Sequence, residues 1–268
     1  MSEVAKMPNN NHSHRWALVL GGGAVRGMAH VGVLQVLSQA GLKPDLVVGV
    51  SAGSVAGGLY SAGVLPQRMY ELACDVGWRK MARLVRPRLG LLDISPLGQM
   101  VERLTEGAQI EDLPLPFVAV AADIQAGQLV PFTRGPLVDA ILASCAVPGV
   151  VCPVEANGRL LVDGGVLNDL PVGLARQMGA DKVVAVNLLP PPKLPAEQPT
   201  NLLEMWSLAF YTLTRLTRVE EGREADVHIL PDIADTSFID FRQVDMLVRK
   251  GREAAEASLP TILDVLEE

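Results

Sequence analysis

Leu46-Val47-Val48 runs without a break into Gly49-Val50-Ser51-Ala52-Gly53-Ser54-Val55-Ala56-Gly57-Gly58, and this junction restricts the fold more than any other stretch of the chain. A short β-branched run bounded by glycine reads as a buried strand. The small residues that follow let a helix begin at once, close enough to the strand that a larger side chain would collide with it. Ser51 is centred in Gly49-x-Ser51-x-Gly53, the pattern of a tight strand-to-helix turn that exposes a serine hydroxyl for nucleophilic attack. Gly49, Gly53 and Gly57 also carry the four-residue spacing of a transmembrane helix pair, within an uncharged stretch from Leu46 to Gln67. Five glycines and three serines in those 22 residues leave too little continuous apolar length for a span, so a soluble protein is expected.

A second unit of the same kind lies upstream. Trp16-Ala17-Leu18-Val19-Leu20 reads as a strand running into Gly21-Gly22-Gly23-Ala24-Val25-Arg26-Gly27, and Met28 to Ala40 has helical periodicity through Val31, Leu34, Val36 and Leu37. Two consecutive strand–glycine turn–helix units imply a parallel sheet with helices packed on it. Aromatic residues make up only 4% of a chain that is 49% apolar, so small and aliphatic side chains must build the interior, as in layered α/β proteins. Further strands are predicted over 117–123, 128–132, 159–163, 182–188 and 227–231. Helices are predicted over 137–144, 245–257 and 261–266. Residues 1–15 read as a disordered tail, 16–190 as the core, and 191–268 as a mostly helical completion of the same domain, with a proline-rich loop over 190–199.

The first glycine loop does not satisfy a dinucleotide-binding fingerprint. Counting G-x-G-x-x-G from Gly21 meets Arg26 where glycine is required, and counting from Gly22 meets Ala24. A nest of backbone N–H groups at a helix start, aimed at an anion, fits better, and acyl transfer needs such a nest for its oxyanion. A net charge of −7 argues against a general nucleic-acid binder. Cys74, Cys145 and Cys152 show no metal-ligand spacing, no metal site is expected, and a reduced cytoplasmic compartment is the simpler reading.

Two segments admit either a structural or a surface role. Residues 78–92 hold Arg79, Lys80, Arg83, Arg86 and Arg88 with no acid, interleaved with Trp78, Met81, Leu84, Val85, Leu89, Leu91 and Leu92. They read either as the solvated face of a core helix or as a contact for an anionic lipid surface. Residues 201–218 are amphipathic and read as a core helix, with a lid or interfacial helix as the alternative.

A serine nucleophile needs a base. His12 and His14 lie in the tail, His30 follows the glycine loop by three residues on a helix and reads as a packed or capped histidine, and His228 sits inside a short predicted strand. A carboxylate remains. Asp163 ends a strand and enters Asp163-Gly164-Gly165, a pattern that a simple turn would also produce. Burial among Leu160, Leu161, Val162 and Val166 would raise its pKa toward the range a base requires.

Taken together, GGGAVRGMAHVGVL (21–34), GVSAGS (49–54), ASCAVPG (143–149) and LVDGGVLNDLPV (161–172) strongly resemble bacterial patatin-like phospholipases in order and spacing across 16–190. DFRQVDMLVRKGREAA (240–255) is similar to the C-terminal helix of the same subgroup. The resemblance implies a three-layer α/β/α sandwich with a mainly parallel central sheet, and a Ser–Asp dyad without histidine or cofactor. It assigns Ser51 as nucleophile and Asp163 as base. Gly21, Gly22, Gly23 and Ala24 would form the oxyanion hole, with Arg26 and Gly27 completing that loop, Gly49 and Gly53 the elbow, and Gly164 and Gly165 the turn behind the base. The glycine loop is one residue longer than a strict G-x-G-x-x-G. The expected substrate is a lipid or acyl ester, on a cytoplasmic protein that touches the inner membrane surface through 78–92 or 201–218. The alternatives are an esterase or thioesterase on soluble acyl groups and a low-turnover lipid- or acyl-binding regulatory protein.

Overall fold

The computed structural model describes residues 14–189, 199, 202, 205, 206, 208–210, 212, 213 and 223–268. The expected tail up to residue 13, the proline-rich loop over 190–198 and much of 201–218 lie outside the described residues.

Among the described residues, ten strands and eight fully described helices follow in chain order. The strands are β1 (Trp16–Leu20), β2 (Leu46–Val50), β3 (Arg83–Leu84), β4 (Leu92–Asp93), β5 (Phe117–Asp123), β6 (Gln128–Phe132), β7 (Val154–Ala156), β8 (Arg159–Asp163), β9 (Lys182–Val186) and β10 (Val227–Ile229). The helices are α1 (Met28–Gln39), α2 (Ala52–Ser61), α3 (Pro66–Asp75), α4 (Trp78–Met81), α5 (Ser95–Thr105), α6 (Leu137–Ser144), α7 (Val172–Gln177) and α8 (Val244–Glu267). A partly described helical stretch containing Trp206 and Phe210 precedes β10.

The main sheet has the order β10-β9-β1-β2-β5-β8-β7, with β6 also paired to β5. From β10 to β5 the strands are parallel, as consecutive strand–helix units require. Alternation along each strand sends side chains to two buried faces. Trp16, Leu18, Leu20, Val47 and Val184 meet α1, α2 and α8 on one face, while Ala17, Val19, Val48 and Val183 meet α7 on the other. Helices therefore cover both sides of the sheet, and the architecture is a three-layer α/β/α sandwich.

One feature of the topology positions the site. β6 pairs with β5 from Ala119 to Asp123, taking one edge of that strand. β2 and β8 must therefore share the other edge. β2 runs parallel to β5 until Val50 reaches Val120, and β8 runs antiparallel until Asp163 reaches Ala121. The two strands meet end to end, their C-termini facing each other at neighbouring residues of β5.

Glycine spacing in α2 follows from how closely this helix lies on the sheet. A Cβ at Gly53 would collide with the Leu20 carbonyl, one at Gly49 would lie 2.5 Å from the Gly53 oxygen, and one at Gly57 2.8 Å from Val47. Gly32 and Gly251 make the crossing of α1 and α8 equally tight, each backbone lying against the other helix.

Two sequence expectations are corrected here. Residues 78–92 do not form a core helix: a single turn, α4, leads into the β3–β4 hairpin. Pro87 cannot occupy a helix interior without losing a hydrogen bond and clashing with the preceding turn. At the C-terminus the two expected helices are one, α8, continuous through Pro260. Leu247, Val248, Gly251, Ala255, Ile262 and Leu266 form one buried stripe, and that shared burial offsets the missing N–H at the proline. No helix among the described residues is long and apolar enough to cross a membrane.

Candidate active site

Ser51 follows β2 directly and begins α2 with φ 52° and ψ −122°, a conformation that a residue with a Cβ rarely adopts. Such strain costs on the order of 1–3 kcal/mol and persists only where the surroundings enforce it. Two serines do so. Ser144 Oγ accepts the Ser51 N–H at 2.8 Å and donates to the Val120 carbonyl at 2.7 Å. Ser54 Oγ donates to the Ser51 carbonyl at 2.6 Å.

The end-to-end arrangement of β2 and β8 brings Asp163 to Ser51. Asp163 is 2% exposed, and its Oδ1 accepts the Gly165 N–H at 2.8 Å. Burial pushes its pKa from 3.8 to about 7, against the pull of hydrogen bonds from the Ser51 side chain and the Gly165 N–H; the neighbouring Asp169 adds to the rise. The carboxylate is thereby poised near neutral pH, in hydrogen-bonding contact with the serine hydroxyl. Gly164 and Gly165 are sterically required, because a Cβ at Gly164 would strike the Val120 carbonyl and one at Gly165 would lie 3.1 Å from Asp163 Oδ1.

The glycine loop is more selective than its sequence suggested. Gly21 donates its N–H to Val186 O at 3.1 Å, and Gly22 donates to Asp169 Oδ1 at 3.2 Å. Both N–H groups are thus engaged within the protein. Gly23 and Ala24 line the cavity above Ser51, and their N–H groups make no hydrogen bond among the described residues. Gly22 still needs to be glycine, since a Cβ there would collide with Asp169 and lie 3.2 Å from the Ser51 Cβ. A Cβ at Gly27 would collide with Ala52, so this glycine lets the loop reach the elbow. Arg26 turns away from the site. Its Nη2 donates to Ala234 O at 3.0 Å and Thr236 O at 2.6 Å, and its guanidinium stacks 3.8 Å from the Phe238 ring centroid, tying the loop to 234–238.

His30 lies on α1 and His228 on β10. His30 is fully buried, donates through Nε2 to Gly21 O at 2.8 Å, and burial lowers its pKa to about 4, so it is a neutral brace behind the loop. His228 lies on β10, with β9 and β1 between it and β2. The Cys145 thiol lies 3.8 Å from Ser54 Oγ, and burial raises its pKa, leaving it protonated. Among the described residues no group of His, Cys, Asp and Glu could hold a metal ion.

Three contributors escaped the sequence reading. Ser144 locks the elbow, Asp169 clamps Gly22, and Ala52, at the first turn of α2, offers an N–H immediately after the serine. Ser144 and Asp169 both lie inside recognised motifs, but nothing in the motifs says which backbone groups they meet.

A cavity of about 980 Å³ opens above Ser51 and Asp163. One face of α2, through Ala52, Val55, Ala56 and Leu59, forms its wall, continued by Met69 of α3 and Met100 of α5. Trp206 and Phe210, stacked at 5.0 Å, close another side. In the same segment Leu202 is 82% and Leu213 80% exposed, while the rest of the face expected over 201–218 lies partly outside the described residues.

Comparison with known proteins bears on the family and the fold. A family model described as patatin-like phospholipase matches residues 18–176. An uncharacterized NTE family protein of Mycobacterium tuberculosis is 42% identical over 179 residues, covering 66% of this chain and 49% of that protein. Human patatin-like phospholipase domain-containing protein 6 is 38% identical over 180 residues, covering 64% of this chain and 13% of that protein. The chain thus spans about half the length of the mycobacterial relative and a small part of the human one. VipD from Legionella pneumophila shares the fold, with a TM-score of 0.54 at 13% identity over 92% of this chain and 67% of that one.

Proposed function

This chain belongs to the patatin-like phospholipase family, a family of lipid ester hydrolases, and from that premise we propose that it is a serine acyl hydrolase cleaving carboxylic esters of lipids through Ser51 and Asp163. The observation that supports the proposal is the meeting of β2 and β8 on one edge of β5, with a strained serine following one strand end and a carboxylate of pKa about 7 at the other. Asp163 takes the hydroxyl proton as Ser51 Oγ attacks the ester carbonyl. The N–H groups of Gly23, Ala24 and Ala52 receive the oxyanion, and the tetrahedral intermediate collapses as the alcohol leaves with the proton held by Asp163. Water then attacks the acyl-enzyme, with Asp163 again accepting its proton, and Ser51 is regenerated when the carboxylic acid departs.

The apolar cavity at Ser51 supports an acyl chain as the group bound beside the nucleophile. Ser51→Ala is expected to lose labelling by a fluorophosphonate and to lower ester turnover at least about a thousandfold. Labelling that survives this substitution would refute the assignment. Hydrolysis that accelerates above the micelle threshold of a phospholipid identifies a lipid substrate. Equal rates on monomeric and aggregated ester would point instead to soluble acyl groups, and a reactive serine with no turnover would point to a binding protein.

A further inference from the structure

We propose that the β3–β4 hairpin and the rim it shares with the cavity form a docking surface for an anionic lipid bilayer, which seats the mouth of the site on the membrane. The hairpin tip is Val85-Arg86-Pro87-Arg88-Leu89-Gly90-Leu91. Leu84 is 83% exposed, Leu89 51%, Leu91 43% and the preceding Trp78 42%, a concentration of large apolar side chains in water that soluble surfaces normally avoid.

The exposure is built in rather than a result of looseness. Leu91 and Leu92 both donate N–H groups to Val150 O at 2.9 Å, and Cys152 N returns a bond to Leu92 O at 2.9 Å. Gly90 packs its backbone against Val151 and Cys152 too closely for any side chain. Trp78 is held by a 2.7 Å bond from Nε1 to Ile239 O and an edge contact with Phe241 at 5.3 Å. The leucines are thus presented on a braced support.

Charge selects the partner. The stretch from Val76 to Leu92 contains five cations and no acid in a chain of net charge −7. Lys80 and Arg83 pair with Asp75 and Asp93 at 2.6 Å each, whereas Arg79, Arg86 and Arg88 are exposed and make no ion pair among the described residues. Cations at headgroup level with apolar side chains beside them match an anionic membrane interface. A second copy of the chain docked through the same patch would set these cations against one another. The patch also borders the site, since Trp78, Arg79, Arg83, Leu84 and Ile239 line the cavity that holds Ser51.

The test uses the full chain carrying Ser51→Ala, so that vesicles are not consumed and binding is read independently of hydrolysis. Flotation with phosphatidylcholine vesicles is compared with flotation on phosphatidylcholine mixed with phosphatidylglycerol. Binding to the mixed vesicles is expected to be roughly a hundredfold tighter, about fivefold for each of the three unpaired arginines, and to weaken as salt is raised. Arg86→Glu with Arg88→Glu should remove the anionic preference. Leu89→Ser with Leu91→Ser should weaken binding to both vesicles, and each pair should leave the thermal midpoint and hydrolysis of a short monomeric ester unchanged in the Ser51 protein. The proposal is overturned if the parent does not float with anionic vesicles or if the arginine pair binds them as the parent does. It is also overturned if Leu89→Ser with Leu91→Ser instead dissolves a dimer seen in sedimentation. Failure of the hydrolase reading would leave the vesicle result intact.

Discussion

Replacing Asp163 by asparagine is expected to abolish turnover while making the protein more stable. The carboxylate is 2% exposed and its pKa rises from 3.8 to about 7, chiefly through burial. The folded protein holds this proton more tightly than the unfolded chain does. Its stabilising contribution is therefore complete below the unfolded value, declines as pH rises through the interval between 3.8 and about 7, and is fully lost above it. That rise in pKa corresponds to ~4 kcal/mol of penalty on the ionised form. Asparagine has the same shape, keeps an oxygen for the Gly165 N–H, and carries no charge to desolvate. In urea unfolding at about pH 8 the variant should exceed the parent by up to ~4 kcal/mol, and at about pH 4 the two should nearly coincide. Parent activity should fall to roughly a tenth of its plateau one pH unit below the Asp163 pKa, because only the ionised carboxylate accepts the serine proton. A variant no more stable than the parent at alkaline pH, with a difference that does not change with pH, would refute the reasoning.

Three further outcomes are expected. Asp169→Asn should move the acid limb of the pH–rate profile to lower pH, since Asp169 raises the pKa of Asp163, whereas Asp169→Ala should also lower kcat by freeing the Gly22 N–H; pH-dependent ester kinetics read both. Gly251→Ala should cost about 1–3 kcal/mol in chemical denaturation through overpacking of α1 against α8, with the KM of the folded fraction unchanged. His228→Ala should retain parental kcat/KM, because β9 and β1 separate it from the strand that carries Ser51.

The parallel half of the sheet was legible because strands buried on both faces are written as near-continuous apolar runs, and Leu46–Val50 and Phe117–Ala122 are such runs. The elbow was legible because its glycines are forced by contacts with β1 and β2, elements close to it in sequence. The hydrogen bonding of the glycine loop was not. Asp169, which engages Gly22 N–H, lies 147 residues away, and no local pattern announces that bond. Residues 78–92 misled for another reason: Trp78, Met81, Val85, Leu89 and Leu92 keep helical spacing, yet Pro87 directs the chain into a hairpin. Continuity of α8 through Pro260 reflects tertiary burial of Ile262 and Leu266, which local propensity does not encode.

The shared edge of β5 has a consequence for how such a site can diversify. Val120 and Ala121 are joined by a single peptide unit, and they are the pairing partners of the residues that deliver Ser51 and Asp163. The spacing between serine and carboxylate is therefore measured by one step of about 3.3 Å along a strand that contributes neither group. Between β5 and β8 the chain holds that step from both sides, β6 by occupying the far edge of β5 and Ser144 of α6 by bonding both Ser51 and Val120. A ruler embedded in the sheet leaves the surrounding walls free to be recut for a different acyl group, while a slip of one residue in β5 would disassemble the pair at once.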